Sequence, residues 1–287
     1  MTIDAKTVGE LRARTGLPMM KCKEALLATQ GDLEAAEAHL RKLGLKTAEK
    51  VKDRTLKEGL VFTRVEPGGA AAVALLCETD FVARSQDFVS FGKALVARLF
   101  DDAPGDRGAG DGLAGLAMPD GKSVKDALAG LIAKTKENTA VGAWARFRTR
   151  EGYVAAYLHH NQKIATLVEL AGPRLADVEV ARRLGTELCM HVAFHAEVQA
   201  LSRDELDPAW IAREEEIFLA QVQDKPEAQR ASIAKGKLNK RIGEVVLLDQ
   251  PFIKDEKKTV QRQVAEVAKE AGVPIEVRRF ARISAGG

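Results

Sequence analysis

The feature that most constrains this chain is an apolar run at residues 70–77 that ends abruptly in polar residues. Small and aliphatic side chains follow one another there without a charge, which is typical of a buried β-strand. Loop tips that follow a rigid strand are common places for binding residues. The end of this strand is therefore predicted to carry a candidate site made of Thr79, Asp80, Phe81 and Val82.

Phe81 has two interpretations that its local chemistry does not separate. It is either a hydrophobic staple that packs onto the next helix, or an aromatic side chain presented to a partner, as aromatic anchors often are at interfaces. The first interpretation requires a buried ring, and the second requires an exposed one.

The N-terminal part, residues 1–45, has the periodicity of three short helices. Thr7 and Glu10 have the spacing of a capping box at the first helix, Gly16 is placed to end it, and Gly44 to end the third. The unit is close to the smallest size that folds alone.

Met19 and Met20 stand next to each other on the second predicted helix. Adjacent helical positions point about 100° apart, so both side chains cannot enter so small a core. One of them is expected to be exposed, and an exposed methionine suits an adaptable binding surface.

Two further segments carry a repeated pattern of strands followed by a helix. The turn at residues 67–69 joins two apolar runs as a hairpin, and a helix follows at residues 87–100. A weaker copy recurs about 92 residues later and ends in a helix at residues 177–195. Two duplicated subdomains, each an antiparallel sheet with helices on one face, predict the α+β class.

The segment between the two copies, residues 101–122, is rich in Gly and Asp. Its formal G-x-G-x-x-G follows another glycine-rich stretch rather than a strand, so dinucleotide binding is rejected and a flexible, solvated insertion is expected. Further on, residues 204–243 predict a protruding helical hairpin. A strand at 244–248, a turn containing Gln250, Pro251 and Phe252, a helix at 259–271 and a strand at 274–283 complete the expected elements.

These patterns divide the chain into five parts. The predicted divisions are an N-terminal three-helix domain, a linker helix with the first core subdomain, a second core subdomain, a helical hairpin and a C-terminal return to the core, at residues 1–45, 46–140, 141–203, 204–243 and 244–287.

Composition excludes several classes of protein. The formal net charge is +3, the three cysteines are widely spaced, and no apolar run approaches the 18 residues of a membrane span. A cytoplasmic location with reduced thiols and without a signal peptide is expected. No G-x-x-x-x-G-K-[ST] phosphate loop and no nucleophile–base pair is visible, so neither direct nucleotide binding of that kind nor an enzymatic site is expected.

Several blocks of the sequence resemble one known family. Residues 79–83, Thr-Asp-Phe-Val-Ala, are similar to the signature of the elongation factor Ts family, the bacterial nucleotide exchange factors for elongation factor Tu. Residues 11–26 are similar to its ubiquitin-associated-like N-terminal domain, residues 190–193 to its Met-His-Val-Ala segment, and residues 250–252 to its Gln-Pro-Phe segment.

The resemblance implies a function and a partner. The chain is expected to bind elongation factor Tu with GDP and to promote release of GDP and Mg²⁺, without a cofactor or metal of its own. Asp80 and Phe81, with Thr79 and Val82, are then the residues that disturb the Mg²⁺ and phosphate ligands. Further contacts with elongation factor Tu are implied for Arg12, Met19, Met20, His191 and Val192. The helical hairpin is implied as a possible dimerisation element.

Two alternatives come from other classes of protein. The first is an RNA- or peptide-binding module built on the N-terminal helices and the basic C-terminal part, where residues 225–287 hold fourteen Lys or Arg against eight Asp or Glu. The second is a zinc enzyme that uses His191 and His195, which share a helix face at i, i+4. The second lacks both the glutamate of a zincin motif and a third ligand at a telling spacing.

Overall fold

The N-terminal helices form a unit with its own small core. The structure, a computed structural model, describes residues 3–286. Helix α1 spans Ala5–Thr15, α2 Met19–Ala28 and α3 Leu33–Val51. Leu11, Cys22 and Leu26 are completely buried between them. Asp32 caps α3, as its position before the apolar stripe predicts, by accepting a hydrogen bond from the Ala35 N–H at 2.9 Å.

The first half of the core is a four-stranded antiparallel sheet with helices on one face. Its order is β1-β2-β4-β3. The elements are β1 Glu58–Glu66, β2 Gly69–Cys77, a short helix α4 Asp80–Ala83, α5 Gln86–Asp102, β3 Arg107–Ala109, α6 Val124–Thr135 and β4 Thr139–Arg148. The predicted hairpin is confirmed, because β1 and β2 pair from Glu58 opposite Cys77 to Glu66 opposite Gly69.

The second half repeats this plan with a three-stranded antiparallel sheet of order β5-β6-β9. Its elements are β5 Tyr153–Leu158, β6 Ile164–Ala171, α7 Glu179–Phe194, a two-stranded ribbon of β7 Pro251–Phe252 and β8 Asp255–Thr259, α10 Val260–Ala271 and β9 Glu276–Ser284. Helices α7 and α10 cover one face of the sheet through Leu184, Leu188 and Val264.

The two sheets pack face to face, and this explains why the run at 70–77 is apolar on both sides. Ala70, Ala72 and Ala74 of β2 face the second sheet, where Leu167 and Ile283 are also buried. The alternate residues of β2 instead pack with helix α5 and its neighbours: Ala71, Val73, Leu75 and Cys77. Four layers, helix–sheet–sheet–helix, result, and the predicted α+β class is confirmed.

A helical hairpin follows the second half. Helix α8 spans Pro208–Ala220 and α9 spans Glu227–Val245. Its buried seam includes Leu238 and Ile242, while Ile217 and Leu219 on α8 remain exposed. Self-association through this hairpin stays a prediction.

Helix α3 is predicted to end at Gly44, but it continues to Val51, across the predicted domain boundary. Gly44 is helical and lies against α6, where an added Cβ would be 3.3 Å from the Ala129 carbonyl oxygen. The glycine thus serves close helix packing rather than termination. The Thr7 cap is also wrong, since α1 already begins at Ala5.

The insertion at residues 101–122 is packed rather than flexible and solvated. Strand β3 pairs with β4, and Leu113 and Met118 are buried against Trp144. Gly108 lies directly on the indole ring, since an added Cβ would fall 2.5 Å from Trp144 Cζ2. A glycine at this position lets the backbone approach the indole ring closely. The segment has the composition of a linker, but it covers part of the core.

The strand predicted at 244–248 is also wrong. Helix α9 runs through Gly243 to Val245, and a turn of 3₁₀ helix at Leu247–Asp249 follows. Gln250 and Phe252 are buried, which supports the interpretation of this segment as a packed turn. Between residues 3 and 286, no helix has the length and apolar character needed to cross a membrane. The cytoplasmic location stays a prediction.

Candidate functional site

Residues 79–82, called here the tip, form the first turn after strand β2. Thr79 has extended backbone angles and caps α4, because its Oγ1 accepts a hydrogen bond from the Val82 N–H at 3.4 Å. The Cys77 thiol donates to the Thr79 carbonyl oxygen at 3.2 Å. Burial raises the pKa of Cys77 to about 11, so the thiol keeps the proton that this bond requires.

Phe81 is the most exposed large hydrophobic residue found in the described chain, with 84% of its surface accessible. Its neighbours Val82 and Ala83 face inward, and Ala83 is buried in the first core cluster. Phe81 is therefore not a staple onto the next helix in the free chain. Asp80, also partly exposed, pairs with Arg84 one turn later at 3.5 Å.

The tip is held in place by Glu137, a residue that was not identified from the sequence. Both carboxylate oxygens of Glu137 accept hydrogen bonds from Thr79, one from its N–H at 3.1 Å and one from its hydroxyl at 2.7 Å. The two residues are 58 positions apart, so only the fold brings them together.

The next residue, Asn138, connects the same place to the end of the N-terminal helices. Its backbone N–H donates to the Glu78 carboxylate at 2.6 Å, and its side-chain amide donates to the carbonyl oxygens of Lys52 and Arg54 at 3.0 and 2.9 Å. The Arg54 guanidinium also lies 3.4 Å from the Glu78 carboxylate. Asn138 and Glu78 thus connect the residue before the tip to the segment after α3.

The three predicted contact residues of the N-terminal unit are all exposed. Arg12 lies on the surface of α1, and Met19 and Met20 are 50% and 64% exposed. At least one exposed methionine is expected from the sequence, and both are exposed, while Cys22 and Leu26 fill the core.

The N-terminal unit and the start of α5 are joined through one lysine. Lys134 of α6 pairs with Asp87 at 3.2 Å, and its ammonium group lies beside Gly16, at the turn between α1 and α2. Asp87 is six residues after Phe81. The turn before α2 therefore lies close to the start of α5, the helix that follows the tip.

His191 and Val192, in contrast, are completely buried. His191 is hydrogen-bonded through both ring nitrogens, to Gln250 at 2.7 Å and to the Ile253 N–H at 3.2 Å. The structure does not bring either residue to the tip, and a direct contact with a partner would require them to move. In the part of the chain that is described, no group of three or more His, Cys, Asp or Glu is placed to hold a metal ion.

The tip therefore offers an aromatic ring and a carboxylate on a firmly held turn. Comparison with known proteins gives the arrangement a context: the family model described as "Elongation factor TS" matches residues 78–287, which includes the whole tip. This chain belongs to the elongation factor Ts family.

Relatives in the elongation factor Ts family extend the match to the N-terminal helices. Elongation factor Ts of Clostridium botulinum strain Eklund 17B is 39% identical over 99% of this chain and 93% of its own length. The Caulobacter vibrioides protein is 37% identical over 99% and 92%, and that of Lawsonia intracellularis 36% identical over 100% and 99%. Membership of the elongation factor Ts family implies a role in translation elongation.

Proposed function

We propose that this protein binds elongation factor Tu in its GDP-bound state and accelerates the release of GDP, so that GTP can rebind. The tip is the part that acts on the nucleotide site, with Phe81 and Asp80 as the groups that enter the partner. The observation that carries this proposal is the 84% exposure of Phe81 on a turn whose base is held by four hydrogen bonds.

An exposed aromatic ring on a firmly held turn is suited to this task for an energetic reason. Burial of a phenylalanine in a partner contributes binding energy, and a backbone turn that is already held in place loses little conformational entropy on binding. An inserted ring displaces groups that hold Mg²⁺ and phosphate, so factor and nucleotide oppose each other on the same protein. This opposition is reciprocal, because coupling between two binding sites has one free energy.

The carboxylate of Asp80 has a related role. It is half-exposed and paired with Arg84, which is itself on the surface. A negative charge brought next to phosphate or to carboxylate ligands of Mg²⁺ disfavours the bound nucleotide through like-charge repulsion.

The exposed residues of the N-terminal unit supply docking in this proposal. Met19, Met20 and Arg12 bind the GTPase domain of elongation factor Tu, and methionine suits such a contact because its side chain adapts to the facing surface. Because the turn before α2 lies beside the start of α5, one partner surface can reach both regions.

The test is release of a fluorescent GDP from purified elongation factor Tu of the same organism, followed by stopped flow. Addition of this protein is expected to raise the release rate above the spontaneous rate, in proportion to its concentration until the partner is saturated. A rate that does not change with the concentration of this protein would contradict the proposal. Binding of polynucleotides with a steep salt dependence, and no binding to elongation factor Tu, would support the RNA-binding alternative instead.

A further inference from the structure

Glu137 reaches the tip through a sharp turn after α6. The helix ends at Thr135, and Lys136 takes up the left-handed conformation with φ at 63°. The Glu137 N–H then donates to the Thr135 hydroxyl at 3.4 Å, and the carboxylate points to Thr79. The turn thereby places the Glu137 carboxylate against Thr79, the first residue of the tip.

The two bonds from Thr79 to Glu137 determine which way the threonine cap acts. The hydroxyl proton is used for the carboxylate at 2.7 Å, so a lone pair of Oγ1 stays available for the Val82 N–H. Helix α4 has only four residues, and an isolated single turn has almost no stability of its own. The orientation of Phe81 therefore depends on the residues that hold Thr79.

From this geometry we infer that Glu137 is a positioning residue for exchange, which holds the tip so that Phe81 enters the nucleotide site in the right orientation. The inference rests on the proposed function, because it concerns how that same site works. Glu137 acts through hydrogen bonding to Thr79, and its charge is not required.

A purely structural role is the competing explanation, and Asn138 provides the comparison. Its amide joins Lys52 and Arg54, after the N-terminal helices, and has no bond to Thr79. Loss of the Asn138 amide is expected to loosen the N-terminal unit and weaken binding. Loss of the Glu137 carboxylate is expected to lower the exchange rate at saturation.

The experiment uses the full chain and its variants Glu137→Ala, Glu137→Gln, Asn138→Ala, Phe81→Ala and the double variant Phe81→Ala/Glu137→Ala. Release of fluorescent GDP is measured against factor concentration, which separates the maximal rate from the concentration for half-saturation. Backbone hydrogen exchange of residues 78–85 in the free protein is the second measurement, since it reports the order of the tip without any partner.

Glu137→Ala is expected to speed hydrogen exchange in the tip and to lower the maximal rate about tenfold, because displacement of a positioned group by about 1 Å is already costly. Glu137→Gln is expected to stay within about threefold of the wild type, since a glutamine can accept from the Thr79 N–H and donate to its hydroxyl. In the Phe81→Ala background, Glu137→Ala should lower the maximal rate by less than a further factor of about two, because the effects of substitutions at coupled residues are not additive.

Three results would overturn the inference while leaving the proposed function intact: a wild-type maximal rate in Glu137→Ala, unchanged hydrogen exchange in its tip, or full additivity with Phe81→Ala. A failure of Glu137→Gln to restore the rate would also overturn it, because the inference assigns the effect to hydrogen bonding. Failure of the wild-type protein itself to release GDP would instead contradict the proposed function.

Discussion

His191 donates a hydrogen bond from Nε2 to the side-chain oxygen of Gln250, 2.7 Å away, in the fully buried interior of the second half. The Gln250 amide nitrogen donates to the Glu244 carbonyl oxygen, which turns the amide oxygen toward the imidazole. The other ring nitrogen, Nδ1, accepts from the Ile253 N–H. The geometry therefore defines a neutral imidazole with its proton on Nε2.

This arrangement predicts a loss of stability in mild acid. The pKa of His191 is lowered from about 6.5 to about 4, mainly by burial; the bond to Gln250 opposes this shift and the nearby His195 adds to it. Between these values the unfolded chain binds a proton that the folded chain does not, so the free energy of unfolding falls as the pH falls through this window. From pH 7 to pH 5 the expected loss due to His191 is about 2 kcal/mol. Chemical denaturation at several pH values measures it.

The control for this prediction is His191→Gln. It is expected to be less stable than the wild type at pH 7, because the substitution removes Nδ1, the acceptor of the Ile253 N–H. Its further loss between pH 7 and pH 5 should be smaller by the His191 contribution, while that of His195, whose pKa burial also lowers, is retained. Parallel pH profiles for the two proteins would show that His191 is not the titrating group.

Gly92, in the first half, has no room for a side chain because the Phe62 ring lies against it. A Cβ added there would lie 2.1 Å from the ring carbon Cε2 of Phe62. Gly92→Ala is expected to lower the free energy of unfolding by about 1–3 kcal/mol because the ring must move. Gly130→Ala is the matched control, since that helical glycine has open space around its Cβ position. It should raise stability by up to about 1 kcal/mol through helix propensity. Equal effects in the two variants would contradict the packing argument.

The packed insertion reverses the expectation from the sequence that this segment is flexible and solvated. Leu113 is 1% exposed and covers the first core cluster together with Met118. Leu113→Ala is expected to cost about 2–5 kcal/mol of stability, as buried leucines do. Asp111→Ala, two residues earlier on the exposed side, should change stability by less than about 0.5 kcal/mol. A melting temperature that is unchanged in Leu113→Ala would restore the description as a solvated linker.

Features with a strong local pattern could be predicted from the sequence. The hairpin at residues 67–69 has a turn signal between two apolar runs, and strand β2 has a long apolar run because both of its faces are covered. The exposed tip followed from the end of that strand and from the family resemblance. Local chemistry alone left the staple open, because exposure of Phe81 depends on which elements lie nearby.

Features that depend on distant contacts could not be predicted in this way. Gly44 is of a residue type that commonly ends a helix, and only the position of α6 shows that it is a contact point between two helices. Leu113 and Met118 stand in a short apolar stretch inside a segment rich in Gly and Asp, which is too short to establish a helical or strand period. Glu137 meets Thr79 across 58 residues, and an acidic residue after a helix is ordinary on the surface. His191 matched a family segment, but its burial became visible only in the fold.

Paired measurements on Phe81→Ala test the central claim, that the exposed ring at the tip drives exchange. Thermal melting of the free protein is compared with stopped-flow release of fluorescent GDP from elongation factor Tu. Phe88→Ala, at a fully buried ring in α5, and Val65→Ala, at an exposed residue near the opposite end of the β1–β2 hairpin, are the controls.

Phe81→Ala is expected to melt within about 1 °C of the wild type, because it removes almost no buried surface. It should lower the exchange efficiency by the equivalent of about 2 kcal/mol or more, as an interface hot spot does. Phe88→Ala should lose about 3–5 kcal/mol of stability, and Val65→Ala should change neither property appreciably. A Phe81→Ala protein that melts much earlier than the wild type, yet releases GDP at the normal rate per folded molecule, would contradict the account.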